Sequence, residues 1–155
     1  EGNFGKVYEG TYRVEHGKVV PVAIKSLKAT MDANGIEDMK KEAYVMKELS
    51  HPCIVRLYGV SVLKKSNNIL MVQELLSMGS LLDYLKKHNS NSTRSLFSLW
   101  VTQIIYGMAY MERKRFVHRD LAARNILMQS HSTIKISDFG LSRSVNSEDY
   151  YFLTN

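Results

Sequence analysis

The most constraining stretch of this chain is Phe116-Val117-His118-Arg119-Asp120-Leu121-Ala122-Ala123-Arg124-Asn125, followed 13 residues after Asn125 by Asp138-Phe139-Gly140. It sets a carboxylate at Asp120, a guanidinium four residues on at Arg124, a carboxamide five residues on at Asn125 and a second carboxylate at Asp138. Between them Asn125 to Met128 and Thr133 to Ile136 read as short strands flanking a turn at Gln129 to Ser132. Any one of these acids, taken singly, is more often a loop cap than a reactive group. Together and in this order they demand a common explanation.

Two further segments precede them. Glu1-Gly2-Asn3-Phe4-Gly5-Lys6-Val7 is a glycine-spaced turn, and Gly2 and Gly5 permit backbone amides to approach an anion closely. On its own such a turn is most often a plain hairpin. Val22-Ala23-Ile24-Lys25 puts a lysine in an apolar strand, where its ammonium either snorkels to water or needs an anion. A partner is available at Glu42, three residues after Met39 and four before Met46, on the apolar face of a predicted helix.

Phosphoryl transfer from a nucleotide requires a carboxylate to orient the acceptor hydroxyl, oxygen ligands for magnesium, and cations that offset charge on the transferred group. Asp120 can serve as the first, Asn125 and Asp138 as the second, and Lys25 and Arg124 as the third.

Periodicity organises the rest. Val7 to Arg13 and Val19 to Leu27 read as strands around a turn at Glu15 to Lys18. Ile36, Met39, Ala43 and Met46 recur at helical steps, opposite Lys40, Lys41 and Glu48, and His51-Pro52 closes that helix. Val55 to Leu63 and Asn68 to Leu75 are strand-like. After Leu76 the pattern turns helical: Ser80 to Lys87 is a short helix, and Phe97, Val101, Ile104, Met108 and Met111 predict a long one with that stripe buried. A boundary at Leu76 to Gly79 follows.

Composition excludes several classes. Of 155 residues, 45% are hydrophobic and 23% charged, which excludes a disordered or collagen-like chain. The net charge of +6 permits anionic partners, but no aromatic and basic stripe singles out nucleic acid. Cys53, the one cysteine, has no internal disulfide partner, which favours a reducing compartment. No apolar run approaches the roughly 18 residues of a membrane span.

The ordered set G-x-x-G-x-V, V-A-I-K, H-R-D with Asn five residues beyond the Asp, and D-F-G resembles the signature of eukaryotic protein kinase catalytic domains. The resemblance covers the whole chain in one register. It implies an α+β, bilobal fold: residues 1–76 as a β-rich small lobe and the start of the hinge, residues 77–155 as the rest of the hinge and an incomplete, mainly helical large lobe. It implies ATP and Mg2+ or Mn2+ as cofactors. Adenine would bond the hinge backbone at Glu74 and Leu76, with Val7, Ala23 and Leu127 against its ring and Gln73 behind it. Gly2 and Gly5 would cover the phosphates, and Lys25, paired with Glu42, would hold them. Asp120 would act as base or orienting residue, with Asn125 and Asp138 on the metal. Met46, Leu57, His118 and Phe139 would stack between the lobes.

The Leu121-Ala122-Ala123-Arg124-Asn125 run is similar to that of tyrosine kinases, which implies protein substrates with acceptor tyrosines. Tyr150 and Tyr151 would be regulatory phosphosites in the activation loop, modified by an activating kinase or in trans, with Arg119 and Arg143 as phosphate partners. Ile136-Ser137-Asp138-Phe139-Gly140-Leu141-Ser142-Arg143 and the Asp149-Tyr150-Tyr151 segment look most similar to cytoplasmic Syk- and Shark-type enzymes. A kinase fold kept only for binding or scaffolding is the alternative, and it is disfavoured because Lys25, Glu42, Asp120, Asn125 and Asp138 are all present. The family pattern starts before Gly2 and continues past Tyr151, so the chain is expected to be part of a larger domain, with negligible peptide kinase activity in isolation.

Overall fold

The computed structural model describes residues 6–27, 33–66, 68–88 and 93–145. Its first half is a four-stranded antiparallel sheet in the order β1-β2-β4-β3, formed by β1 (Lys6–Arg13), β2 (Val19–Leu27), β3 (Leu57–Val62) and β4 (Ile69–Glu74), with one helix, α1 (Ala33–Glu48). The turn expected at Glu15 to Lys18 is a short 3-10 turn, Glu15–Gly17, closed by Val14 N–H donating to the Lys18 carbonyl at 2.9 Å. Gly17 there has φ +78, a backbone state open to glycine without steric cost.

Cross-strand register decides which side chains share a face. Ala23 opposes Gln73, Lys25 opposes Met71 and Leu27 opposes Ile69. Leu27 and Met71 are fully buried with Met39, Ala43 and Met46 of α1, so this face of the sheet is the one α1 covers. Lys25 and Ala23 therefore point to the same side as the helix, as does Val7, directly opposite Lys25 on β1.

The second half is helical with small ribbons: α2 (Leu81–His88), α3 (Arg94–Arg113), β5 (Phe116–Val117), β6 (Ile126–Met128), β7 (Ile134–Ile136) and β8 (Arg143–Ser144). The β6-β7 and β5-β8 pairs are antiparallel. This is the bilobal arrangement, β-rich then helical, that the sequence predicted. Ser80 caps α2: its Oγ accepts from Asp83 N–H at 3.1 Å and donates to Asp83 Oδ2 at 2.6 Å. Gly79, at φ +74, makes the preceding turn, and its carbonyl accepts from Met128 N–H, tying the connector to β6.

The lobes are joined through the segment after α1. Ile54 bridges Ile136 in parallel, with Val55 N–H donating to the Ile136 carbonyl and Ile136 N–H to the Cys53 carbonyl, both at 2.9 Å. Ile54, Ile126, Ile134, Ile136, Met111 and Met128 are all essentially inaccessible. Each such side chain contributes about 1.5–3 kcal/mol by leaving water.

The long helix corrects the predicted stripe. Met111 is buried and Ile104 and Met108 are half-buried, but Phe97 and Val101 are 42% and 53% exposed, and the buried positions are Trp100, Gly107 and Met111. The β6-β7 ribbon sets this rotation. Trp100 Nε1 donates to the His131 carbonyl at 2.9 Å, Gln103 holds both Ser132 and Ile134 backbone groups, and Gly107 lets Ile136 lie against the helix.

Candidate active site

Lys25 and Glu42 meet. The Lys25 Nζ lies 2.6 Å from Glu42 Oε2, with the side chains only 13% and 3% exposed. Burial pushes the Glu42 carboxyl up from its ordinary value; the Lys25 charge and hydrogen bond oppose that, and the nearby Asp138 carboxylate adds to it. The sequence signal, an acid on the apolar face of a helix, thus marks a real ion pair.

Asp120 is the centre of a second constellation. Its carboxylate accepts from Asn125 Nδ2 at 2.8 Å through Oδ2 and from Arg124 through Oδ1, and its carbonyl accepts from the same Asn125 amide at 2.8 Å. Arg124 and Asn125 sit in a single 3-10 turn, Ala123–Asn125, which brings residues four and five positions after Asp120 back onto it. Asn125 is buried and spends its NH2 on Asp120, which leaves its Oδ1 as an oxygen donor.

The β6-β7 register explains how Asp138 arrives. Ile126 opposes Ile136, so Asn125 opposes Ser137, whose N–H and Oγ both donate to the Asn125 carbonyl, at 2.8 and 2.9 Å. Asp138 is the next residue, exposed, with φ +62, an uncommon conformation for a non-glycine residue that turns its backbone out of the strand.

His118 locks the two loops together. Its Nε2 faces the Ser137 carbonyl at 3.0 Å, a contact only an N–H can make, while Nδ1 accepts from Asp120 N–H at 3.3 Å. These contacts place a ring proton on Nε2. It is wholly buried, edge-on to Phe139 at 5.2 Å. Ser142 Oγ donates to the His118 carbonyl at 3.2 Å, and Arg119 Nε donates to the Leu141 carbonyl. Met46 and Phe139 belong to the buried core, with Leu57 packed against it.

Of the other predicted positions, Ala23 and Leu76 are buried, Leu127 is half-buried on β6, and Val7 is 63% exposed on β1. Glu74 ends β4, and Gln73 precedes it, opposite Ala23. Arg119 and Arg143 line one cavity of about 720 Å3, together with Lys40 and Lys41 of α1. Gly2, Gly5, Tyr150 and Tyr151 lie outside the described residues.

Some residues were missed from sequence. Lys135 Nζ is 2.6 Å from Glu74 Oε1, Glu74 Oε2 accepts from Arg56 N–H at 3.2 Å, and Ser137 and Ser142 clip the loops. No periodicity announces a pair 61 positions apart. Ser137 had one usable signal, its place directly before Asp138.

A buried lysine-glutamate pair under a glycine-containing sheet, an aspartate near that glutamate, and an Asp-Arg-Asn knot together define a protein-kinase domain. The chain belongs to that family: the model for protein tyrosine and serine/threonine kinase matches residues 1–155. It is 47% identical over 151 residues to the tyrosine-protein kinase HTK16 of Hydra vulgaris, covering 97% of this chain and 20% of that protein. It is 44% identical over 152 residues to activated Cdc42 kinase Ack of Drosophila melanogaster, covering 96% and 14%. With the epidermal growth factor receptor of the same fly the identity is 40% over 148 residues, covering 95% and 10%. The chain thus spans a fifth or less of these relatives. They include a receptor, so they place it in the tyrosine-kinase group generally and do not favour the Syk and Shark type.

Proposed function

We propose that this domain transfers the γ-phosphoryl group of ATP to tyrosine hydroxyls of proteins. The observation that carries the reading is the Asp120 carboxylate held by Asn125 and Arg124, in the same domain as a lysine paired with Glu42. The phenolic oxygen attacks the γ-phosphorus, the bond from that phosphorus to the β-γ bridging oxygen breaks, and Asp120 takes the phenolic proton. Lys25 holds the α and β phosphates, and Arg124 lies beside Asp120 to offset charge on the transferred group. Adenine bonds the backbone of Glu74 and Leu76, between Val7, Ala23 and Leu127, while Gly2 and Gly5 cover the phosphates.

Asn125 Oδ1 and the Asp138 carboxylate suit magnesium or manganese, which take one or two protein oxygens plus phosphate oxygens. When bound, the ion would neutralise negative charge on the nucleotide phosphates.

Tyr150 and Tyr151 act as regulatory phosphosites, phosphorylated by an activating kinase or in trans, with Arg119 and Arg143 as partners for the added charge. The Asp149-Tyr150-Tyr151 segment supports a cytoplasmic, non-receptor enzyme of the Syk or Shark type. Among the described residues no helix is long and apolar enough to cross a membrane.

Turnover of a tyrosine-containing polymer with magnesium and ATP tests the reaction. Asp120→Asn is expected to reduce the rate about 10²–10⁴-fold while nucleotide binding persists. Nucleotide binding with no Asp120-dependent turnover in the full-length protein would instead make the domain a binding or scaffolding module.

A further inference from the structure

Tyr44 on α1 and Tyr106 on α3 both stand out into solvent, 59% and 61% exposed. Their surroundings differ. Residues three and four positions away share a helix face. Around Tyr106 these are Thr102, Gln103, Ala109 and Tyr110, none of them charged. Around Tyr44 they are Lys40, Lys41, Lys47 and Glu48, three cations against one acid. Lys40 and Lys47 have no carboxylate within 4 Å among the described residues. Lys41 has only Glu37, at 4.0 Å with both side chains more than half exposed, a geometry that contributes little.

Tyr44 also lines the cavity of about 720 Å3 that holds Lys40, Lys41, Arg119 and Arg143, together with the acids Glu37 and Asp38. Arg119 spends its Nε on the Leu141 carbonyl, which leaves both terminal nitrogens as donors. Arg143 is exposed and has no carboxylate within 4 Å among the described residues. A neutral phenol offers these cations nothing, whereas a phosphate on it carries about −1.5 to −2 charge and three acceptor oxygens. Glu42, the partner of Lys25, lies two residues before Tyr44 on the same helix.

We propose that Tyr44 is a phosphorylation site, its phosphate held by Lys40 and Lys41 of its own helix and by Arg119 and Arg143 across the cavity. A tyrosine kinase joins the γ-phosphorus of ATP to the phenolic oxygen. The bond from that phosphorus to the β-γ bridging oxygen breaks, ADP leaves, and the phenolic proton passes to the base of that kinase. The modified side chain ties α1 to the segment after Asp138, and so fixes the helix that carries Glu42. The site does not require this chain to be the kinase; its effect on turnover rests on the phosphoryl-transfer reading above. The proposed Tyr150 and Tyr151 phosphates draw on the same two arginines, so the test removes both tyrosines.

The full-length protein carrying Asp120→Asn, Tyr150→Phe and Tyr151→Phe is incubated with magnesium, ATP and a second, active tyrosine kinase, and the modified residues are identified by mass spectrometry. Tyr44 is expected to be labelled. A tyrosine phosphatase should remove that phosphate roughly tenfold more slowly than from a free phosphopeptide spanning residues 38–50, because charge-assisted bonds hold it in the folded protein. Adding Lys40→Gln and Arg143→Gln, both at exposed positions, should bring removal back to the peptide rate. No label at Tyr44 under conditions that label Tyr150 and Tyr151 of the unchanged protein would overturn the proposal. So would removal at the peptide rate, or protection that the two glutamine changes leave intact. The second kinase supplies the transfer, so an inactive domain here leaves the outcome unchanged and is read separately, from its own turnover.

Discussion

Lys135 on β7 reaches back 61 positions to place its Nζ 2.6 Å from Glu74 Oε1 at the end of β4, while the other Glu74 oxygen accepts from the Arg56 backbone. Glu74 thus serves both lobes with one carboxylate, at the point where the chain leaves the small one. Both side chains are largely withdrawn from water, 13% and 18% exposed, so truncating one strands the other. Glu74→Ala is expected to cost about 1–3 kcal/mol in urea unfolding, because it leaves the ammonium unpaired and the Arg56 N–H unsatisfied. Combining it with Lys135→Met should cost less than the sum of the two single changes. Strict additivity would mean the contact contributes nothing.

The Lys25-Glu42 pair predicts a pH dependence. The folded protein holds the Glu42 carboxyl above its ordinary value, chiefly through burial, so it binds the proton more tightly than the unfolded chain does. The stability this confers is complete below the ordinary carboxyl range and is lost as pH rises through the raised folded value. Glu42→Gln does not titrate, so its thermal midpoint relative to wild type should rise between pH 4 and pH 7, even as turnover falls. Lys25→Met removes the opposing charge and should move the Glu42 titration, followed by carboxyl NMR, further up.

The proposed tyrosine preference makes Arg124 a test position. Its guanidinium pairs with Asp120, four residues earlier. Replacing Arg124 with Ala and Ala122 with Lys moves the cation to a nearer backbone position. The ratio of tyrosine to serine peptide turnover is expected to fall at least tenfold; an unchanged ratio would assign the preference to other residues.

Gly107 lies where α3 meets the ribbon. A Cβ there would come 2.7 Å from Ile136 Cδ1 and 3.3 Å from the Cys53 carbonyl, one neighbour a flexible methyl and the other backbone. Gly107→Val is expected to destabilise by about 1–3 kcal/mol through overpacking, despite the better helix propensity of valine. Adding Ile136→Val should return part of that loss, read as a higher unfolding midpoint.

Activation should depend on Tyr150 and Tyr151. The cavity beside β8 is lined by Arg119, Arg143, Lys40 and Lys41 together with the acids Glu37 and Asp38, and β8 ends at Ser144, six residues before Tyr150. The double change Tyr150→Phe, Tyr151→Phe is expected to lower activity in the phosphorylated enzyme; full activity without either hydroxyl would exclude the switch.

The sequence by itself determined what depends on near neighbours and on composition at fixed spacing. Alternation laid out β1 to β4, helical steps laid out α1, and Glu42 stood on the wrong face for a solvated acid. The offsets from Asp120 to Arg124 and Asn125 fit one tight turn and needed no distant contact. Tertiary structure decided what depends on which surface arrives. α3 turned toward Trp100 and Gly107 and away from Phe97 and Val101, because the ribbon needed a hydrogen-bonding edge and a gap the size of glycine, and a hydrophobicity pattern counts neither. The Glu74-Lys135 contact and the placement of Asp138 through Ser137 likewise arise only once strands pair. Chain separation carries no energy in the sequence, whereas a charge leaving water must find its partner in space.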